Sequence, residues 1–224
     1  MVFWARKLVL MTWGCEALAL VTAVVLYSSQ AAAVTRLPFF GGSDLTPQWF
    51  DRADQLPADY HRVTNLSLQD QNGKTVTDDA LKGKITLVTF FYTTCPTLCP
   101  RIVQHLKKVQ TAFKDDKKVM LLSISVTPEL DNQKRLQEFA RHNGMRTPGW
   151  VLARGPMTEV ERLAKSMYFV QDTSLVPEEN PKIDHSDRVV LVDQAGHLRG
   201  VYRGTRLYDI ERIIRDVGVL KTGG

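Results

Sequence analysis

The run Ile85-Thr86-Leu87-Val88-Thr89-Phe90-Phe91-Tyr92 is apolar at nearly every position, and it leads directly into Thr93-Thr94-Cys95-Pro96-Thr97-Leu98-Cys99-Pro100. A run this apolar fits a strand buried on both faces, which requires a sheet interior with helices packed on each side. Ligands and chemistry collect beyond the carboxyl ends of such strands. Two sulfurs four residues apart, just past that end, therefore mark the candidate site. The third cysteine, Cys15, stands far away in a hydrophobic N-terminal stretch.

The segments on either side constrain the fold further. Pro96 to about Asp115 has apolar residues at Leu98, Ile102, Val103, Leu106, Val109 and Phe113, the spacing of a helix with one buried face. Val119–Val126 reads as a second buried strand, Asp131–His142 as a helix and Trp150–Ala153 as a third strand. Met157–Met167 follows as a helix. Arg188–Asp193 and His197–Tyr202 pair around Gln194-Ala195-Gly196, and Asp209–Val217 closes the chain as an amphipathic helix. Upstream, His61–Leu68 alternates like a strand and turns at Asn72-Gly73 into Lys74-Thr75-Val76. This order predicts an α/β protein with a thioredoxin-like arrangement, a mixed sheet flanked by helices, carrying an added N-terminal β-hairpin.

Arg6 and Lys7 precede Leu8–Tyr27, a twenty-residue apolar run. As a helix it would span about 30 Å, the thickness of a bilayer's hydrocarbon core. Glu16, near its middle, costs roughly 3 kcal/mol on insertion scales, which the surrounding leucines, valines and alanines offset. The basic residues on the N-terminal side put residues 1–7 in the cytoplasm, 8–27 across the membrane as an N-terminal transmembrane helix, and the remainder outside. Residues 28–58, with Leu37-Pro38-Phe39-Phe40 and Trp49-Phe50, read as a linker docked on the 59–224 domain, because free linkers seldom carry aromatics. Two rival readings are signal cleavage after Ser28–Ala33 and lipidation of Cys15. Each of them also exports the domain.

The chain's 44% hydrophobic and 24% charged residues are those of an ordinary globular protein. Its net charge of +5 is interleaved with acids, as in Lys114-Asp115-Asp116-Lys117-Lys118, which argues against a nucleic-acid partner.

Export gives a close thiol pair a bland reading, a structural disulfide. So short a loop adds little through chain entropy, and a domain of this size does not need it. With Cys95 at the helix N-cap and Cys99 one turn on, both sulfurs share a face where the helix start favours thiolate. The pair could shuttle electrons as a dithiol or grip a soft metal ion. Three intervening residues, where thioredoxin-type motifs have two, favour the metal. Soft thiolates select Cu(I), and imidazole is a compatible third ligand; a structural zinc site would require four protein ligands. Among the histidines, His105 falls on the far face of its helix and His142 suits a helix C-terminus. His197 belongs to an exposed hairpin tip. His61 stays open, and so does His185, which immediately precedes a strand and reaches the cysteine end if that strand is antiparallel to the central one.

Taken together, Thr94–Pro100 after Thr89–Tyr92, Ser123–Asp131, Thr147-Pro148-Gly149-Trp150 and Asp184-His185-Ser186 resemble the Sco/SenC family of membrane-anchored, copper-binding thioredoxin-fold proteins. The linker motifs Leu37–Gly41 and Leu45–Trp49 are similar as well, so the resemblance covers roughly 36–217. It implies that Cys95, Cys99 and His185 bind one copper per chain, as Cu(I) or Cu(II). It implies delivery to the copper-centre subunit of cytochrome c oxidase, with an upstream copper donor or thiol reductant as further partner. It also implies a single-pass protein of the bacterial inner membrane with its C-terminal domain in the periplasm. Asp184 would either orient the His185 ring or be a solvated turn residue. Many members carry Asp-Pro where this chain has Thr127-Pro128, whereas Asp131 matches the second acid of that segment. The alternatives are a thiol–disulfide reductase that keeps the acceptor's cysteines reduced, a peroxidase with Cys95 attacking and Cys99 resolving, and a tethered module whose disulfide is only a staple.

Overall fold

Strand β5 (Ile85–Phe91) is buried at every position, and the sheet is assembled around it. The computed structural model describes residues 35–51, 53–146, 149–170 and 187–223. The expected membrane span 8–27, Cys15, Asp184 and His185 lie outside them. Among the described residues, no helix is long and apolar enough to cross a membrane.

The strands are β1 (Phe39–Phe40), β2 (Pro47–Gln48), β3 (Leu68–Asp70), β4 (Thr75–Val76), β5, β6 (Val119–Ser125), β7 (Trp150–Arg154), β8 (Arg188–Val192) and β9 (Leu198–Arg203), in the spatial order β2-β1-β9-β8-β5-β6-β7-β3-β4. β5, β6 and β7 are parallel, whereas β8 runs antiparallel to β5. The helices are α1 (Asp78–Leu81), α2 (Leu98–Ala112), α3 (Gln133–His142), α4 (Met157–Arg162, continued by a π-turn over Leu163–Met167) and α5 (Leu207–Lys221). This is the mixed α/β, thioredoxin-like architecture that the pattern predicts, and the Asn72-Gly73 hairpin is present as β3–β4, with Gly73 at φ +80°.

Alternation along β5 sends Ile85, Leu87 and Phe91 to one core and Val88 and Phe90 to the other. The first core holds Cys95, Cys99, α2 and α5, with Ile102, Leu106, Ile213 and Val217 buried against it. Its polar atoms are satisfied: Thr89 Oγ1 bonds Ser123 Oγ at 2.9 Å, and Trp150 Nε1 donates to the same oxygen at 3.0 Å.

The expected strand His61–Leu68 shrinks to its last residue, because other groups take up its backbone amides. Val63 N donates to Gly196 O, Asn65 N and Leu66 N donate to the Asp78 carboxylate at 2.8 Å, and Ser67 N reaches Glu159. Asn65 adopts φ +59°, which ends any extended ladder.

Arg36–Gly224 forms one compact unit, and its first residues are woven into the sheet. β1 pairs with β9, and Leu37 and Phe39 are buried. Arg199 fastens them. Its guanidinium donates to Leu37 O at 2.8 Å and Pro38 O at 3.1 Å, lies 3.8 Å over the Phe39 ring, and pairs with buried Asp193 at 3.1 Å. Removing one partner of a buried pair leaves an uncompensated charge. Arg199→Met should therefore lower unfolding free energy by about 3 kcal/mol, read from urea denaturation followed by circular dichroism. A loss below about 1 kcal/mol would refute this role for the pair.

Candidate functional site

The chain leaves β5 at Phe91 and turns through Tyr92, whose carbonyl accepts from Cys95 N at 3.3 Å. The expected N-cap is displaced: Thr97 holds it, and α2 begins at Leu98, so Cys95 lies two residues before the cap. Proline is the reason. Pro96 disfavours helical backbone at Cys95, whereas Pro100 sits in the first turn, where a missing N–H costs nothing. Thr97 makes no side-chain cap bond. Instead, Cys99 N donates to Cys95 Sγ at 3.4 Å, so a sulfur takes the free amide of the helix start. Both cysteines are free thiols, and both are buried, Cys95 at 6% exposure and Cys99 at 3%.

The two thiols are not equivalent. Burial acts to raise Cys95, but hydrogen bonds from the Cys99 and Thr97 amides, the Cys99 thiol and the Tyr92 hydroxyl outweigh it and bring the group down to about 7. Burial pushes Cys99 up to about 12, reinforced by Cys95 and by the negative charge of Asp131. Tyr92 is also raised to about 12, through burial and the adjacent sulfurs. At neutral pH the pair is thus one nucleophilic sulfur beside one protonated thiol.

Asp131 positions this turn. It is fully buried and accepts from Thr93 N at 3.2 Å, Thr93 Oγ1 at 2.5 Å, Ser125 Oγ at 2.7 Å and Thr127 Oγ1 at 3.1 Å. The expected helix start at Asp131 moves to Gln133, with Asn132 as cap accepting from Arg135 N at 3.0 Å. Pattern reading gave Asp131 no such role. Its signals were its match to the second acid of the Ser123–Asp131 segment and its place after small hydroxyl residues at a strand end.

The histidines can now be placed. His61 Nε2 bonds Met167 O at 2.9 Å, and His105 Nδ1 bonds Gly204 O at 2.8 Å. His197, expected at an exposed tip, is buried instead at 7% exposure: its Nδ1 bonds His61 O at 3.0 Å, and its ring packs edge-on to Phe39 and Tyr60. His142 is exposed at the end of α3. Among the described residues, no three His, Cys, Asp or Glu side chains converge into a metal-binding set. His185 lies outside those residues, but the strand that follows it is described. β8 is antiparallel to β5 in the register Thr89↔Val189, and two residues further on this register brings Asp187 level with Phe91, at the cysteine end. Asp187 is held there, its carbonyl accepting from Gly204 N at 2.6 Å and its carboxylate from Arg203 at 3.2 Å and Thr205 at 2.5 Å.

A mixed sheet with a CxxxC thiol pair beyond its central strand defines a thioredoxin-like protein. Residues 55–220 match the SCO1/SenC family model, and the chain belongs to that family. It is similar to a SCO1 protein homolog of Bacillus subtilis, 31% identical over 160 residues that cover 70% of this chain and 81% of the relative. Among solved structures it is similar to BsSco, a member of the Sco family of cytochrome c oxidase assembly proteins in which a disulfide switch was identified. The identity is 30%, the TM-score 0.60, and 72% and 94% of the two chains are covered. Copper-bound ScoI of Bradyrhizobium japonicum is 31% identical with a TM-score of 0.52, over 65% of this chain and 95% of that one.

The thiol asymmetry sets a pH dependence. Alkylation of the reduced, metal-free protein by iodoacetamide should label Cys95 first, with a rate that rises through a midpoint near pH 7, while Cys99 stays unlabelled. Because the Cys95 value lies below its ordinary 9.0, ionisation of that thiol stabilises the fold above pH 9 and the contribution fades as pH falls through 7. Mass-spectrometric mapping checks this; preferential labelling of Cys99 would contradict it.

Proposed function

We propose that this protein is a membrane-anchored copper metallochaperone that holds one copper ion as cargo through Cys95, Cys99 and His185 and delivers it to the copper-centre subunit of cytochrome c oxidase. The observation that carries the reading is the pair of buried, free sulfurs at the mouth of the sheet, with the strand following His185 entering at that same end. The donor chemistry fits. Two sulfurs are soft ligands, one of them ionises near neutral pH, and an imidazole completes a set suited to Cu(I). Support also comes from the family: ScoI of Bradyrhizobium japonicum holds copper, and BsSco belongs to the cytochrome c oxidase assembly proteins. Three ligands leave one side open to an incoming thiolate of the acceptor, so transfer proceeds by ligand exchange. Leu8–Tyr27 anchors the chain in the bacterial cytoplasmic membrane as a single span, with the domain in the periplasm.

A second reading has its own observation. The thiols are free and within hydrogen-bond contact, and one is far more nucleophilic than the other, as a dithiol reductant requires. The disulfide switch identified in BsSco bears on the same chemistry. In this reading the pair reduces the acceptor's copper-ligand cysteines and needs neither metal nor His185.

Anaerobic Cu(I) titration of the reduced full chain separates the two. One copper per chain is expected, with stoichiometric binding lost in Cys95→Ser, Cys99→Ser and His185→Ala. Full retention of Cu(I) by His185→Ala would refute the three-ligand site. Failure of the wild-type chain to take up copper, together with reduction of the acceptor's disulfide, would favour the reductase.

A further inference from the structure

Beside the cysteine turn runs a groove of about 450 Å³ that neither the thiols nor the core requires. One wall is Thr93 and Thr94, the residues that lead into Cys95; the other is α3. Anything seated there lies against the backbone that positions the reactive sulfur.

α3 buries Leu136 and Ala140 against the core and turns Arg135 and Arg141 outward into the groove. Some arginines of the fold have carboxylate partners, such as Arg162 with Glu159 and Arg199 with Asp193, whereas others, such as Arg101 and Arg206, have none among the described residues. Among the described residues, Arg135 and Arg141 have none. Glu138 stands between them and forms no ion pair with either, so the groove keeps a net positive charge. Arg135 is not a loose surface side chain, for its Nη1 donates to Leu130 O at 3.3 Å. The floor is apolar: the half-buried Phe139 ring packs on Phe91, with centroids 5.4 Å apart. Leu130, whose carbonyl accepts the Arg135 bond, is 57% exposed. Two unpaired guanidinium groups, an aromatic floor and an exposed leucine suit a segment with carboxylates flanking an apolar side chain.

We infer that this groove docks an acidic segment of the protein that exchanges cargo with the thiols, an inference that rests on the metallochaperone reading and names the chemistry of its partner. Arg135 and Arg141 attract and orient the partner, and Phe139 receives its apolar side chain. The partner's own thiols are thereby brought to the cysteine turn. A field of this kind acts on the rate of encounter and weakens with salt.

The test uses the full chain in detergent with the soluble domain of the copper-centre subunit of cytochrome c oxidase as acceptor. Copper transfer is followed by stopped flow at low and high ionic strength. Arg135→Glu with Arg141→Glu should slow transfer at least about tenfold at low salt and flatten its salt dependence. Arg135→Gln with Arg141→Gln should give an intermediate loss. Lys117→Glu with Lys118→Glu makes the same charge change just before β6, at the opposite end of the sheet, and should leave the rate within about twofold of wild type. Copper stoichiometry should stay at wild-type level in all three. Equal slowing by both reversals would assign the effect to net charge and overturn the inference. No slowing by the groove variants would overturn it while the copper reading stands. Loss of binding to vesicles containing anionic lipid, with unchanged transfer, would give the groove to the membrane and also overturn it. Should the wild-type chain bind no copper, the metallochaperone reading fails on its own. Thiol–disulfide exchange with the oxidised acceptor domain, run on the same variants, then still reads the docking.

Discussion

Both faces of β5 are buried, and that constraint decides where chemistry can occur. Its hydrogen-bonding edges are taken by β6 and β8, and its side chains are shared between two cores. Polar work is therefore expelled to the strand's end, where the backbone must turn before α2 can begin. A turn at the edge of a dry core carries unpaired amides, and these need acceptors. Here the acceptors are a sulfur and a buried carboxylate: Cys95 Sγ takes the Cys99 amide, and Asp131 takes the Thr93 amide. Local stability and local reactivity thus come from the same contacts.

These contacts also divide labour between the sulfurs. The amides of Thr97 and Cys99 point at Cys95 and stabilise its thiolate, whereas Cys99, in the first turn of α2, sinks into the core and faces Asp131 across low-dielectric space. Two equally acidic thiols this close, beside a buried carboxylate, would place three negative charges together with little water to screen them. Burial avoids this by keeping Cys99 protonated.

Much of this was legible in the chain before any coordinates. The two-sided apolar runs identified β5 and β6, the three-four spacing identified α2, and the cysteines marked the site, because burial writes itself directly into residue type. What escaped reading was whatever depends on partners distant in sequence. The His61–Leu68 alternation looked like a strand, but Asp78, Glu159 and Gly196 capture its amides. His197 follows a glycine turn and looked exposed, yet the N-terminal segment folds back to cover it with Phe39 and Tyr60. The helix start was misread by two residues because spacing alone does not show a sulfur doing a cap's work. The ring of His185 is absent from this comparison, since its residue lies outside the described part of the chain.

Thr127 shows how a departure from a family pattern can be accommodated. The resemblance to the Sco/SenC family leads to the expectation of an aspartate at this position, and here a hydroxyl stands in its place and donates to Asp131 at 3.1 Å. A carboxylate at 127 would set a second negative charge within hydrogen-bond range of one already fully buried. One of the two would then have to hold a proton, or a cation would have to join them. With threonine the carboxylate instead receives three hydroxyl donors and one amide. The single buried charge is satisfied without help from outside, and the cysteine turn is pinned by a network that contains no second acid.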